Sequence, residues 1–387
     1  MNHLETRVLV IGGGSTGAGV VWDLALRGVP AVLVERGDLA AGATGRSHGL
    51  LHSGARYAVN DPDSAAECWA ENRILRRIAG ACIEDSGGYV VETPWDDATY
   101  ASKLVEGCRV AGIPCEEVTV GDALHAEPLL HPAIRRAFTV PDAAVDAAGT
   151  VRACARSAHD LGAGILTGHA VTGLIRERDR VGGAVVRSGS GDEMEVRAEV
   201  TVNAAGAWAG RVAAMAGCEV TVVAGKGILI AFRHRLLDAV VNRCRLPADG
   251  DIIVPSGTSS VLGTTDIASP DPDDLEVVPD ETARMLAEGE RLVPGLRQAP
   301  VLKVWAGVRP LFREGPAGTA GDREVSRSHR LLDHREHDGV AGFVTIVGGK
   351  FTTFRKMAEV TADLVCEHLG VYRRCTTATE QLPSLEA

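Results

Sequence analysis

Six consecutive residues near the start, Gly12-Gly13-Gly14-Ser15-Thr16-Gly17, are the first in the chain whose types and spacing point to chemistry. They satisfy G-x-G-x-x-G, which alone is a weak signal. Here the motif follows the apolar run Arg7 to Ile11, opens a helical stretch from Ser15 to Arg27, and precedes a second apolar run, Ala31 to Glu35. Glu35 stands 18 positions after Gly17. This strand–helix–strand context is the one in which the motif binds a dinucleotide. Gly12 permits the tight turn, Gly14 lets backbone approach a pyrophosphate, and Gly17 lets helix and strand pack closely. Ser15 and Thr16 open the helix, whose free N–H groups and dipole favour phosphate. Glu35 can accept hydrogen bonds from ribose hydroxyls and disfavours a 2′-phosphate. Arg36 falls at the same edge of the nucleotide and reads as an exposed residue rather than a 2′-phosphate ligand.

Two later segments choose the cofactor. Val202 to Trp208 reads as a strand running into small residues, beside the nucleotide on the same sheet; Ala205, Gly206 and Trp208 are its cofactor candidates. Ile346-Val347-Gly348-Gly349-Lys350 reads as a strand, two glycines and a helix start near the C-terminus. A helix N-terminus there stabilises negative charge on a reduced flavin. A nicotinamide domain has no need of the far end of the chain, whereas an isoalloxazine extending beyond the nucleotide does. The expected cofactor is FAD. No metal is expected: the nine cysteines are scattered, with no C-x-x-C or C-x-C pair, and they read as small buried hydrophobes rather than disulfides or cluster ligands.

The elements that must position these residues follow from pattern. The chain has 387 residues, 45% apolar and 24% charged, enough for one or two packed domains. A net charge of −11 argues against a nucleic-acid or anionic-membrane surface but leaves room for a local basic pocket. No run approaches the ~20 apolar residues of a spanning helix, and the N-terminus lacks signal-peptide character. The expected location is cytoplasmic, with peripheral attachment at the cytoplasmic membrane face through a partner as the alternative. Asp61-Pro62 reads as a helix start, with the helix running to about Ala79 and stopping at Gly80. Short β-like runs from Gly164 to Val202 read as hairpins. A helix starts at Asp280. Gly342 to Val347 reads as a strand and Thr353 to Leu369 as a helix, with Met357, Val360 and Leu364 on its buried face. Arg313 to Arg323, rich in glycine and charge, reads as a surface loop.

Several further motifs carry a resemblance. They are Ala43-Thr44-Gly45-Arg46-Ser47-His48-Gly49-Leu50-Leu51-His52-Ser53-Gly54-Ala55-Arg56-Tyr57, Val241-Asn242-Arg243-Cys244-Arg245, Gly263-Thr264-Thr265-Asp266, Gly307-Val308-Arg309-Pro310-Leu311 and Gly348-Gly349-Lys350-Phe351-Thr352-Thr353. With these in order over about residues 4 to 376, the chain closely resembles the FAD-dependent glycerol-3-phosphate dehydrogenases, and among them the flavin-binding A-type subunits of the anaerobic bacterial enzyme. The resemblance implies an α/β chain (α+β overall) with a glutathione-reductase-like FAD-binding domain and an inserted antiparallel-sheet substrate domain. Residues 1–86, 143–224 and 338–376 then form the FAD-binding domain, 87–142 and 225–337 the substrate domain, and 377–387 a tail. The implied reaction oxidises the C2 hydroxyl of sn-glycerol 3-phosphate to a ketone, with the hydride going to the flavin.

The resemblance also implies the site. Arg56 and Arg309 match the family's phosphate-binding arginines, whose planar forks suit phosphate oxygens. Lys350 reaches substrate or flavin, and Arg327 matches a weaker basic position. His52 is the favoured base, since histidine titrates near neutrality; His48 is the runner-up. Tyr57 contributes a hydroxyl, and Thr264, Thr265 and Asp266 shape the pocket wall. Thr44, Ser47, His48, Gly49, Leu51, Gly348, Gly349, Lys350, Phe351 and Thr352 line the cofactor. Two departures stand out. The A-type relatives continue into a cysteine-rich domain beyond the point matching Ala387, so electrons are expected to leave through a quinone or a partner subunit. The aerobic relatives' Lys-Gly-Ser-His stretch is Lys226-Gly227-Ile228-Leu229 here, so that histidine's role does not carry over. Two alternatives stay open at this point: a related phospho-alcohol or hydroxyalkylphosphonate as substrate, and a flavin-binding subunit that only docks partners.

Overall fold

The computed structural model describes residues 2–269, 271–312 and 328–384. Arg327 and the expected loop from Arg313 to Arg323 lie outside the described residues. Strands and helices are numbered in chain order.

The first sheet is eight-stranded. It contains β1 (Asn2–Ile11), β2 (Ala31–Val34), β9 (Gly164–Leu166), β10 (His169–Glu177), β11 (Arg180–Ser188), β12 (Glu193–Asn203), β19 (His329–Asp333) and β20 (Phe343–Gly348). Its parallel centre pairs β1 with both β2 and β12, and β12 with β20. The β1 run reads as continuously apolar because both faces are covered. Val8 and Val10 face one core, shared with α1 (Ser15–Leu26), α5 (Ala147–Asp160) and α9 (Phe354–Leu369). Leu9 and Ile11 face the other, shared with β11 and α6 (Ala209–Met215). The expected hairpins are β10, β11 and β12, paired antiparallel.

The second sheet has nine strands. They are β5 (Gly88–Glu92), β6 (Glu116–Val118), β7 (Arg136–Val140), β13 (Val222–Phe232), β14 (Val240–Arg243), β15 (Ile252–Ser256), β16 (Ser259–Gly263), β17 (Ile267–Ser269) and β18 (Val301–Phe312). It is antiparallel apart from the β5–β14 pair. Its own core lies under α4 (Val120–Ala126) and α7 (Pro279–Gly289). A small third sheet, β3 (Leu50–Leu51), β4 (Ile83–Glu84) and β8 (Ala143–Val145), sits where the two halves meet. The remaining helices among the described residues are α2 (Pro62–Ile78), α3 (Tyr100–Ala111) and the single turn α8 (His334–His337).

We keep the two-part division as a proposal, with one adjustment. β19 is hydrogen-bonded along β20, so residues 329–337 go with the first sheet and not with the 225–337 piece. The reason is packing: Leu331 and Leu332 alternate into the two cores that flank the first sheet.

Helix ends follow their caps. Gly28 adopts φ +67° just past α1, and the Asp61 carboxylate accepts the Ser64 N–H at 3.2 Å at the start of α2. The buried face of α9 differs from expectation. Met357 is buried, but Val360 and Leu364 are only half-buried; Phe354, Ala358, Thr361, Ala362 and Val365 fill the face. α9 lies against α1 through small residues, and a Cβ on Gly19 would stand 2.9 Å from that of Ala358. The Thr361 hydroxyl is satisfied by the Met357 carbonyl at 2.7 Å. A reading by hydrophobicity passes over such a face.

One buried ion pair ties α9 to α2. Arg355 donates to both Glu71 oxygens at 2.7 and 2.5 Å, and the two side chains are 3% and 4% exposed. Removing one partner of such a pair strands a buried charge and costs about 3–5 kcal/mol. Arg355→Ala is therefore expected to lower the unfolding free energy by about that much in denaturant titration. The double change Arg355→Met with Glu71→Leu should recover most of the loss.

Candidate active site

The glycine loop explains its own composition. Gly12 sits at φ +110°, and a Cβ there would lie 2.5 Å from the Ala204 carbonyl at the end of β12. A Cβ on Gly17 would lie 1.9 Å from the Gly12 carbonyl. Gly14 is different: the nearest atom to its added Cβ is Thr44 Oγ1, at 3.4 Å. The protein thus crowds the first and third glycines and leaves a cradle of open space at the middle one. Around it, the Ser15 N–H donates to Thr44 Oγ1 at 3.1 Å, and Thr16 follows as the second residue of α1. The Glu35 carboxylate accepts from the Gly13 and Gly37 N–H groups at 2.7 and 2.8 Å. Those bonds orient it and leave acceptor capacity for ribose hydroxyls.

Arg36 and Trp208 form one cluster at this edge. The Arg36 guanidinium lies 4.1 Å over the Trp208 ring. Both donate to Asp273, at 3.1 and 3.0 Å, and Arg211 donates to the same carboxylate at 2.6 Å. Asp273 belongs to the chain between β17 and α7, so this exposed cluster ties the chain after β2 and after β12 to the second half of the molecule. The sequence reading did not find Asp273. Ala205 and Gly206 lie between Asn203 and Trp208 beside the loop, as expected.

The stretch from Thr44 to Tyr57 runs from the loop to the junction of the sheets. Ser47 turns back to the Thr44 carbonyl at 3.0 Å, and the Gly49 N–H donates to Ser47 Oγ at 3.4 Å. Leu51 is wholly buried in the core of the first sheet, so only its backbone can face a cofactor. His52 is fixed on both sides: its N–H donates to Thr352 Oγ1 at 3.0 Å, and its carbonyl accepts from Asn72 at 3.1 Å. Its ring faces Tyr57, with the hydroxyl 3.5 Å from Nε2. Lys350 brings its ammonium 4.8 Å from the Tyr57 ring centre. It comes from the turn after Gly348 and Gly349, where Cβ atoms would meet Ser328 O at 2.6 Å and Met357 Sδ at 2.4 Å. Phe351 lies tilted beside Phe354, with ring centres 5.3 Å apart, and packs half-buried against the core of the first sheet.

His48 lies 6.2 Å from His52 between ring centres. A Cβ on Gly263 would stand 2.9 Å from its ring, so the glycine lets it lie flat on β16. Its Nδ1 is buried with no hydrogen-bond partner among the described residues. Burial, then the charges of Arg56 and Arg309, push its pKa from the ordinary 6.5 to about 3. The neutral ring's contribution to stability is thus full above pH 6.5 and fades as pH falls toward 3.

The two arginines differ. Arg309 projects from β18 opposite Gly225. It donates to Asp266 at 2.7 Å and to the Thr265 carbonyl at 2.8 Å, and it also bonds the Thr264 hydroxyl. A Cβ on Gly227 would stand 2.6 Å from its guanidinium, so the absence of a side chain at this point of β13 lets Arg309 cross. Arg56 donates through one nitrogen to Asp251 at 2.8 Å, while its other terminal nitrogen is buried with no hydrogen-bond partner among the described residues. Of the two arginines, Arg56 is the one with an open donor among the described residues.

Thr265 needs correction. Its hydroxyl accepts from the Ile228 N–H and donates to Glu281, both at 3.0 Å. It supports Arg309 through its carbonyl and has no hydroxyl left over for a substrate. Sequence reading also missed Asn72, Asp142 and Asp251. Asp142 accepts the Ser53 N–H at 2.6 Å and an Asn242 N–H at 3.1 Å, and burial pushes its carboxyl up. Their only signal was a polar residue inside or beside an apolar run. Arg327 lies outside the described residues.

A cleft of about 1060 Å³ opens beside Thr44 to Gly49, walled by Ala231, Val261 and Trp305. His52, Arg56, Arg309 and Lys350 are not in its lining, so it neighbours the cationic cluster without containing it.

The comparisons with known proteins agree with this geometry. The family model described as FAD dependent oxidoreductase matches residues 7–364. The chain belongs to that family. Its cofactor is FAD. The chain is 47% identical over 389 residues to the A1 subunit of the anaerobic glycerol-3-phosphate dehydrogenase of Haloferax volcanii, covering 98% of this chain and 66% of that one. It is 46% identical over 381 residues to the A subunit of the Escherichia coli enzyme, covering 97% and 70%. The chain thus spans about two thirds of the length of these relatives. Among solved structures, the glycerol-3-phosphate dehydrogenase of Bacillus halodurans complexed with FAD matches with a TM-score of 0.75 at 25% identity, over 98% of this chain and 68% of that one. Glycine oxidase of Geobacillus kaustophilus shares the fold, with a TM-score of 0.74 at 23% identity over 99% and 100%. No helix among the described residues is long and apolar enough to cross a membrane.

The cradle makes a direct prediction. Gly14→Val should fold, because nothing of the protein stands closer than 3.4 Å to the new Cβ, yet it should purify with little flavin. The check is the ratio of flavin to protein absorbance, with FAD and not FMN released on denaturing the wild type. Full FAD occupancy in Gly14→Val would refute the cradle.

Proposed function

We propose that the protein oxidises the C2 hydroxyl of sn-glycerol 3-phosphate to dihydroxyacetone phosphate. FAD, when bound, accepts the hydride at N5 and passes the electrons to a quinone or a partner subunit. The observation that carries the reading is the meeting of Arg56, Arg309 and Lys350 around His48, His52 and Tyr57. A docking protein has no use for three cations gathered at one half-buried place, and an uncharged alcohol would leave the open Arg56 nitrogen unanswered. The names of the relatives support the same substrate, and no observation favours the phosphonate alternative.

The residues divide the work. The unpartnered Arg56 nitrogen offers a charge-assisted hydrogen bond to a phosphate oxygen. Arg309, steadied by Asp266 and by Pro310 after it, adds positive potential and shares its fork. Lys350 reaches in from the other sheet. His52 takes the hydroxyl proton, with Tyr57 beside its Nε2. His48 is the poorer base, because burial and two arginines hold its proton affinity down.

Anaerobic mixing tests the reading. Glycerol 3-phosphate should bleach the oxidised flavin, and plain glycerol at equal concentration should not. No bleaching by the phosphorylated alcohol would end the proposal. Loss of a charge-assisted bond worth about 1.5–3 kcal/mol should make Arg56→Ala about 10- to 150-fold poorer in kcat/KM. Arg56→Lys should recover only part of it.

The histidines separate by pH. The acid limb of kcat/KM should persist in His48→Asn, since the His48 ring is neutral throughout the working range, and should vanish in His52→Asn. The reverse result would exchange their roles.

A further inference from the structure

Apart from the cationic cluster, one other place gathers metal-binding side chains among the described residues. Cys218 follows α6, His334 and His337 lie on α8, and Asp338 caps that turn. One donor atom from each of Cys218, His334 and Asp338 lies within 4.8 Å of the others. Cys218 and His334 are buried, while Asp338 and His337 open to solvent, so an ion can reach the group from water.

The imidazole is already aimed. His334 Nε2 lies 2.8 Å from Thr345 Oγ1, and that hydroxyl oxygen is itself anchored by Asn203 at 3.2 Å. The ring stacks on Phe343, with centres 4.6 Å apart. Histidines that bind metals commonly hydrogen-bond a fixed partner through the second ring nitrogen. Thr345 fills that position, which leaves Nδ1 turned to Asp338 at 2.5 Å. His337 Nδ1 lies 3.7 Å from the same carboxylate, but only Cys218, His334 and Asp338 bring donor atoms within 4.8 Å of one another.

We propose that Cys218, His334 and Asp338 form a binding site for a tetrahedral divalent cation of the Zn²⁺ type, with water as the fourth ligand. A thiolate, imidazoles and one carboxylate suit Zn²⁺ or Co²⁺, whereas Ca²⁺ and Mg²⁺ take oxygen ligands. Metal–ligand bonds of about 2.0–2.3 Å place tetrahedral donors roughly 3.5 Å apart. The observed spacings, within 4.8 Å, need adjustments of about an ångström, which exposed Asp338 can make. Binding replaces two protons, the one between Nδ1 and Asp338 and the one on the thiol. Because metal binding displaces these protons, uptake should strengthen as pH rises. The ion would staple the end of α6 to the turn before β20, on the first sheet and away from the substrate residues.

The test is titration of the chelator-treated, FAD-loaded protein with Co²⁺ alone. One equivalent should bind, with the visible absorption of tetrahedral thiolate-ligated cobalt at wavelengths beyond the oxidised flavin bands, and Zn²⁺ should bleach it. Cys218→Ser and Asp338→Asn, checked as folded by their retained yellow colour, should bind at least about tenfold more weakly. Bleaching of the flavin by glycerol 3-phosphate should be unchanged in both, so this result is separable from the proposed activity. No stoichiometric uptake, or uptake with the same spectrum and affinity in Cys218→Ser, would overturn the site.

Discussion

Like charges gathered at a half-buried place repel, and the architecture around the candidate site is organised by that constraint. Arg56, Arg309 and Lys350 converge from the third sheet's margin, the second sheet and the first. Asp251 and Asp266 meet two of them directly, and Asp142 lies beneath. Each carboxylate is buried, and each is held by hydrogen bonds from backbone or side chains. The partial balance leaves one donor nitrogen of Arg56 and one ring nitrogen of His48 buried and unpartnered among the described residues. An anion with several oxygens is the ligand that completes such an arrangement.

Bringing these groups together requires the second sheet to approach closely. Its glycines provide the room: Gly225 and Gly227 for Arg309, Gly263 for His48, and Gly307 for Arg46. On the first sheet, the absence of side chains at Gly12 and Gly17 lets α1 begin within contact of β12. Each half therefore has a glycine-built face, and the long stretch from Thr44 to Tyr57 joins them. That is why one continuous chain, with no obvious linker, forms two sheets and a single site.

Much of this was legible in the sequence because it rests on local rules. The strand–glycine–helix opening, the caps of α1 and α2, and the two-core pattern of β1 depend on residues close in the chain. The FAD segments were readable because each carries its own turn chemistry. What escaped depends on distant partners. Asp251, Asp273 and Asn72 look like ordinary surface polar residues until tertiary contacts show whom they hold. Thr265 looked like a pocket hydroxyl, but Glu281 in α7 and the Ile228 backbone claim it. Val360 and Leu364 were assigned to a buried face by their hydrophobicity, whereas helix-to-helix contact selects small side chains. The two arginines part for the same reason: a motif identifies the residue type, and only the fold shows which guanidinium already has partners.

If the cations at the junction act together, they bind a phosphate dianion. The most direct measurement is a titration of the oxidised holoprotein with inorganic phosphate at low ionic strength, followed by the flavin difference spectrum. Binding should be saturable, and it should weaken about tenfold or more in Arg56→Ala and in Lys350→Ala. It should not change in Arg187→Ala, an exposed arginine paired with Glu193 on the far hairpin. Phosphate binding of wild-type strength in both junction variants would contradict the cationic clamp.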